Sequence, residues 1–267
     1  STSLTPASSP TAPSTPTLTP AQATPPALAP IFDQILTRVS EIRGLDPLKA
    51  IMPKFMTMEE LTSTLREDLE EDLDDILNSQ ELLKIMGMIP QDADLYQMLL
   101  SLYTEQVVGF YDTETEELYV IKGLEELTPL DELTLAHEYT HALQQQHFDI
   151  QATRERIEGH SDMNRAFSAL IEGDATIVQT IYMIQHLDEE EQAALSEETD
   201  NESDIAFEAA PYVVQRTITF PYFEGSQFVF TLLREANSWD GVNAIFDNLP
   251  KSTEQVMHTE KYSSHEA

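Results

Sequence analysis

Apolar positions in IFDQILTRVSEIRGL recur at spacings of three and four from Ile31, the period of a helix with one buried face, and Gly44 ends the run. Thr57 followed by Glu60 forms a capping-box pattern that predicts one long amphipathic helix through about Leu77. Two shorter helices are expected near 80–87 and 92–107. At VVGFYDTETEELYVIKG (107–123) the pattern changes: two β-prone runs flank a polar turn, which predicts a hairpin. Thr128-Pro129 with Asp131 marks the start of the next helix, which carries LTLAHEYTHALQQQHFD (133–149). Ser161-Asp162 begins another that runs to about 187. The acidic stretch 188–204 is expected to be a loop. Several short helices, punctuated by Pro211, Pro221, Gly225, Gly241 and Pro250, are expected to complete the chain. No internal repeat is present. The pattern predicts an α+β fold, mostly α, with one small sheet. It forms a single domain over 31–267, made of a helical part (31–105), a core (106–187) and C-terminal helices (188–267).

Residues 1–30 break the pattern. They are nearly all Ser, Thr, Pro and Ala, with no charge and no aromatic ring. Such a segment has too little apolar area to offset its ordering entropy and is expected to be a disordered tether. Tethers of this kind often join an exported domain to a membrane anchor or cell wall, so an extracytoplasmic location is expected.

Composition narrows the partners. Lys+Arg number 14 and Asp+Glu 48, for a formal net charge of -34. Nucleic acid and anionic membrane surfaces, which select for Lys and Arg, are poor partners for this chain. The acidic runs read as solvated faces, because no loop has spaced calcium ligands with the required Gly. Cysteine is absent, so any metal site must use His and carboxylates. No apolar run reaches the length of about 18 residues needed to span a bilayer, so direct membrane insertion is not expected.

The candidate chemistry lies in His-Glu-x-x-His. Four residues apart on a helix, His137 and His141 project about 40° apart and can chelate one zinc ion. Glu138 lies beside them, within reach of a metal-bound water whose pKa zinc lowers to near 7. TLAHEYTHALQ resembles the active-site helix of the zincin metallopeptidases. That resemblance covers roughly residues 105–187 and implies Zn2+, a peptide or protein substrate, and an edge strand from the hairpin above the cleft.

Two residues compete as the third ligand. His147 stands at the spacing of the metzincin group, but Gln144 occupies the position where that group needs Gly to turn off the helix. If the helix continues, His147 lies about 240° round from His141. Glu172 stands in Ile-Glu-Gly-Asp-Ala, which resembles the Asn-Glu-Gly-x-Ala context of the aminopeptidase branch of the gluzincins, with Ile for Asn. A Glu and a Gly within an apolar helical run are costly unless something rewards them, and a Gly there would let two helices approach closely. Where thermolysin-like members place an Asp to hold a zinc histidine, this chain has Thr176; Asp174 is the alternative supporting residue. The family often stabilises the oxyanion with a Tyr or His, for which Tyr222, His258 and Tyr262 are candidates, and Tyr111 is expected near the cleft. The sequence therefore points to a gluzincin-like zinc peptidase with His137, His141 and Glu172 as ligands and Glu138 as general base. The alternative is a secreted zinc-binding or assembly module without turnover, and a further one is a helical adhesion domain in which the motif arose by chance.

Overall fold

The computed structural model describes residues 28–105, 109–121, 127–201 and 205–266. Most of the expected tether (1–27) and the outer ends of the expected hairpin (107–108 and 122–123) lie outside the described residues. The fold is mostly helical, with one three-stranded sheet.

Helix α1 (Ala29–Arg43) starts two residues earlier than its pattern suggested, with Leu28 buried ahead of it, and ends on Gly44 at φ 71. That left-handed angle favours glycine. The capping box at Thr57 forms: Glu60 accepts from the Thr57 N–H at 2.8 Å, and Thr57 Oγ1 accepts from the Glu60 N–H at 3.2 Å. The helix it opens is shorter than expected. It divides at Asp72 into α2 (Met58–Glu71) and α3 (Leu73–Ile85), and α4 (Leu95–Glu105) follows.

The hairpin is β2 (Gly109–Asp112) with β3 (Glu117–Ile121), in register Gly109↔Val120 to Asp112↔Glu117. Local pattern did not show the third strand, β1 (Lys54–Met56), which pairs parallel to β3. At three residues it is too short for periodicity to register, and its pairing is remote in sequence. The order β1-β3-β2 leaves β2 at the edge.

Helices α5 (Pro129–Phe148) and α7 (Ser161–His186) follow as the pattern predicts, and a short helix that it did not predict, α6 (Ile150–Arg156), lies between them. The acidic stretch after α7 is helical, against expectation: α8 spans Glu189–Asn201. Asp188 accepts from the N–H groups of Glu190 and Glu191, and Glu191 accepts from the Asp188 N–H. This capping box, with three glutamates at the positive end of the helix dipole, makes the acid an asset there.

The C-terminal third also differs. After α9 (Ile205–Ala209), a single 25-residue helix, α10 (Tyr212–Ala236), runs through both Pro221 and Gly225. Helices α11 (Trp239–Asp247), α12 (Thr253–Met257) and α13 (Thr259–Ser263) complete the order. Pro221 removes the donor that would reach the Thr217 carbonyl, yet packing keeps the helix continuous. Gly225 is required by proximity: a Cβ there would lie 2.0 Å from the Ala169 carbonyl oxygen, and one on Gly173 would lie 2.2 Å from the Gly225 carbonyl carbon. The close helix approach expected beside Glu172 is therefore present, with α10 as the partner.

Helix α7 is the centre of the molecule. One side joins α1, α5 and the sheet around Val39, Leu135, Tyr139 and Tyr182. The other joins α10, α11 and α12 around Phe167, Phe228 and Val242. A separate cluster binds α2, α3 and α4 to the start of α10 through Leu69, Leu100 and Val214. Gly225→Ala should destabilise the fold by about 2 kcal/mol or more, the scale of overpacking in a rigid contact. Urea denaturation reads this directly, and an unchanged midpoint would mean that the two helices are free to separate.

Candidate metal centre

Helix α5 is fixed at its start by a capping box. Thr128 Oγ1 accepts from the Asp131 N–H at 3.2 Å, Asp131 accepts from the Thr128 N–H at 2.9 Å, and Pro129 occupies the first turn. Two turns later the helix presents His137 and His141 on one face. Their rings meet edge to face with centroids 4.7 Å apart. Together with Glu138 they form a group whose ligand atoms lie within 4.8 Å of one another and could hold a metal ion.

Glu172 of α7 faces the same point. Its Oε2 lies 3.1 Å from His137 Nε2 and 3.4 Å from His141 Nε2. One carboxylate oxygen thus meets both imidazole nitrogens, from a position 31 residues beyond His141. The side chains of His137, His141 and Glu172 are 10%, 12% and 20% exposed, sheltered but open to solvent.

Glu138 leaves this face and reaches the sheet, where its Oε2 accepts from the Tyr111 N–H of β2 at 2.8 Å. Tyr111 is therefore at the site, as expected, through its backbone. Tyr222 of α10 is also there: its ring centroid is 6.0 Å from that of His137, and the charge on Glu172 acts on its hydroxyl. Tyr222 is 45% exposed, so it stands at the mouth of the site rather than in the core.

The other candidates lie elsewhere. Helix α5 continues past Gln144 to Phe148, and His147 Nε2 donates to the Asp46 carbonyl at 2.7 Å. His258 sits between α12 and α13 with a side chain 52% exposed, 3.8 Å from Glu260. Tyr262 donates to the Asn248 carbonyl at 2.8 Å and packs its ring against Phe228. The structure does not bring these three into the histidine group. Gln144 and Arg43, which sequence reasoning passed over as supporting residues, do belong to its surroundings. Gln144 lies 2.9 Å from His141 Nδ1, and Arg43 is paired in full burial with Asp174, the alternative supporting residue of the sequence. Gln144 shows its signal only in retrospect: it is three residues after His141, on the same helix face.

The electrostatics are strongly coupled. Burial opposes the charge on Glu172, but His141 and the hydrogen bonds from both imidazoles hold its carboxyl well below the usual range. Burial also opposes a charged His141, yet Glu172 outweighs it and raises the imidazole to about 9. Glu138 is pushed up, chiefly by burial, with the two histidines acting against that. The charge on Glu172 raises the Tyr222 hydroxyl, with crowding around it adding to the effect.

Comparison with protein-family models, with curated proteins and with solved structures finds no match.

Metal binding at this group should be proton-linked. A ligand histidine must be neutral, and without metal His141 keeps its proton up to about 9. Affinity should therefore rise as pH rises from 6 to 9, with roughly one proton released per ion bound at pH 7. Calorimetry in buffers of different ionisation enthalpy measures that release, and a value near zero would place the metal away from His141.

Proposed function

We propose that this chain is a zinc-dependent peptidase with a gluzincin-like centre, in which His137, His141 and Glu172 hold the ion. The observation that carries the reading is the position of Glu172 Oε2 against both Nε2 atoms, at 3.1 and 3.4 Å. Ligand atoms bound tetrahedrally at the 2.0–2.1 Å typical of zinc with His and carboxylate are separated by about 3.3 Å. The two spacings from Glu172 to the imidazoles are therefore already close to those a zinc ion requires. An all-His/carboxylate set also fits a chain without cysteine.

Bound there, zinc would act as a Lewis acid toward a peptide carbonyl and make water acidic near neutral pH. The remaining work belongs to the protein. Glu138, with its pKa raised by burial, takes a proton from the attacking water and returns it to the leaving nitrogen. The Tyr111 N–H aims the Glu138 carboxylate. Tyr222 keeps its proton, because Glu172 raises its pKa, and so can donate a hydrogen bond to the oxyanion. β2 is an edge strand whose Tyr111 N–H points away from β3 toward Glu138, so an extended peptide laid along that edge would pass the histidines. The substrate class is a peptide or protein. The Ser/Thr/Pro-rich first 30 residues support a tethered, extracytoplasmic enzyme.

The test pairs metal content with turnover on a quenched-peptide library. Wild type should hold one zinc after dialysis and cleave. Glu172→Ala should lose the ion, and His147→Ala should keep it. Glu138→Gln should keep zinc and lose about 10^3-fold or more in kcat, the scale of losing a proton-transfer group. Tyr222→Phe should lower kcat by about 100- to 1000-fold with KM little changed. A zinc-loaded wild type that cleaves no peptide would instead identify a zinc-binding module without turnover.

A further inference from the structure

Behind His141 lies a chain of polar groups that a peptidase reading of the centre leaves unexplained. Gln144 is fully buried. Its Nε2 donates to the Ile171 carbonyl at 3.0 Å and to Asp174 Oδ2 at 3.0 Å. Its Oε1 is 2.9 Å from His141 Nδ1. Asp174 is fully buried too, and Arg43 Nε lies 2.8 and 3.1 Å from its two carboxylate oxygens. The Arg43 guanidinium comes from α1, 131 residues away, and stacks between the Trp239 and Phe148 rings at 4.5 and 5.8 Å. Among the described residues its Nη1 and Nη2 have no hydrogen-bond partner.

The direction of every bond in this chain is determined. Ile171 and Asp174 offer only acceptors, so the amide nitrogen of Gln144 must face them. Its oxygen must then face His141, and an acceptor at Nδ1 requires Nδ1 to carry the hydrogen. In the neutral ring that leaves the lone pair on Nε2, the nitrogen that meets Glu172. Flipping the Gln144 amide would set its oxygen against a carbonyl and a carboxylate and its nitrogen against Nδ1–H. On its other side Asp174 meets Arg43, whose guanidinium offers only donors.

We infer that Arg43 and Asp174, acting through Gln144, are positioning residues that fix the tautomer and ring orientation of His141. This inference rests on the metal reading of the centre and deepens it. It also accounts for a buried ion pair that apolar residues of similar volume could replace with little loss of stability. The pair is kept for what it does to Gln144.

The experiment measures Zn2+ affinity of the zinc-stripped full chain by competition with a chromogenic chelator, with circular dichroism and thermal melting as fold controls. Gln144→Leu should bind Zn2+ about 10- to 100-fold more weakly, the usual loss when a partner of a ligand histidine is removed. Arg43→Met/Asp174→Leu should fold and weaken Zn2+ by a similar factor. The combined triple variant should be no weaker than the weaker of the two, because all three act on one bond. Zinc-loaded wild type should show a slowly exchanging downfield His141 Nδ1–H proton signal that Gln144→Leu loses. If the double variant does not fold, Asp174→Asn decides on the same readouts, since its amide nitrogen would face either the Gln144 amide or Arg43 Nε donor to donor and break the chain at one of its two links. Folded variants with wild-type affinity and an unchanged proton signal would overturn the relay while leaving zinc binding intact. Fully additive losses would also overturn it. A wild type that binds zinc but hydrolyses nothing would defeat the peptidase reading and spare the relay. A wild type that binds no zinc would defeat both.

Discussion

Three consecutive residues of α7 face three different neighbours, and the rest of the molecule is arranged around that fact. Successive side chains on a helix are about 100° apart. Glu172 points at the two histidines of α5, Gly173 lets the backbone of α10 come into contact, and Asp174 meets Arg43 of α1 and Gln144 of α5. No other registration of α7 satisfies all three. Turning it by one residue would bury Glu172 against α10 without a partner and take the carboxylate from both His137 and Arg43.

The contact at Gly173 and Gly225 does more than close a gap. It holds α10 so near α7 that Tyr222, three residues before Gly225, lies over Glu172 and His137. Pro221 and Gly225 look like helix breakers only when α10 is read by itself. The hydrophobic face through Val214, Phe228 and Val229 spans two separate apolar clusters, and burying both outweighs the hydrogen bond that proline removes.

Charge in this protein is organised by depth. The excess of acid over base is large, and much of it lies on solvated helices such as α8. The carboxylates at the centre, half-buried or buried, each have a partner: Glu172 has two imidazoles, Asp174 has a guanidinium, and Glu138 has a backbone N–H. An unpaired carboxylate at that depth would be protonated instead. The pairing with both imidazoles keeps Glu172 ionised and oriented toward them.

Local chemistry settled the helices that end in caps. Thr57 with Glu60, Thr128 with Asp131 and Gly44 all act as their types require, and the histidine spacing fixes two nitrogens on one face of α5 whatever surrounds it. The same kind of signal was present at Asp188 with Glu191, where the weight of acidic residues obscured it. What no local pattern could contain was the partner of each element. The meeting of Glu172 with the histidine pair, the contact of Gln144 with Ile171, the parallel strand at Lys54–Met56 and the burial of Arg43 all depend on groups 27 to 131 residues apart in sequence. Periodicity reports which face of an element is apolar; it carries no term for which other element that face meets. Only packing decides that, because it alone sets a carboxylate on α7 within 3.4 Å of two imidazoles on α5.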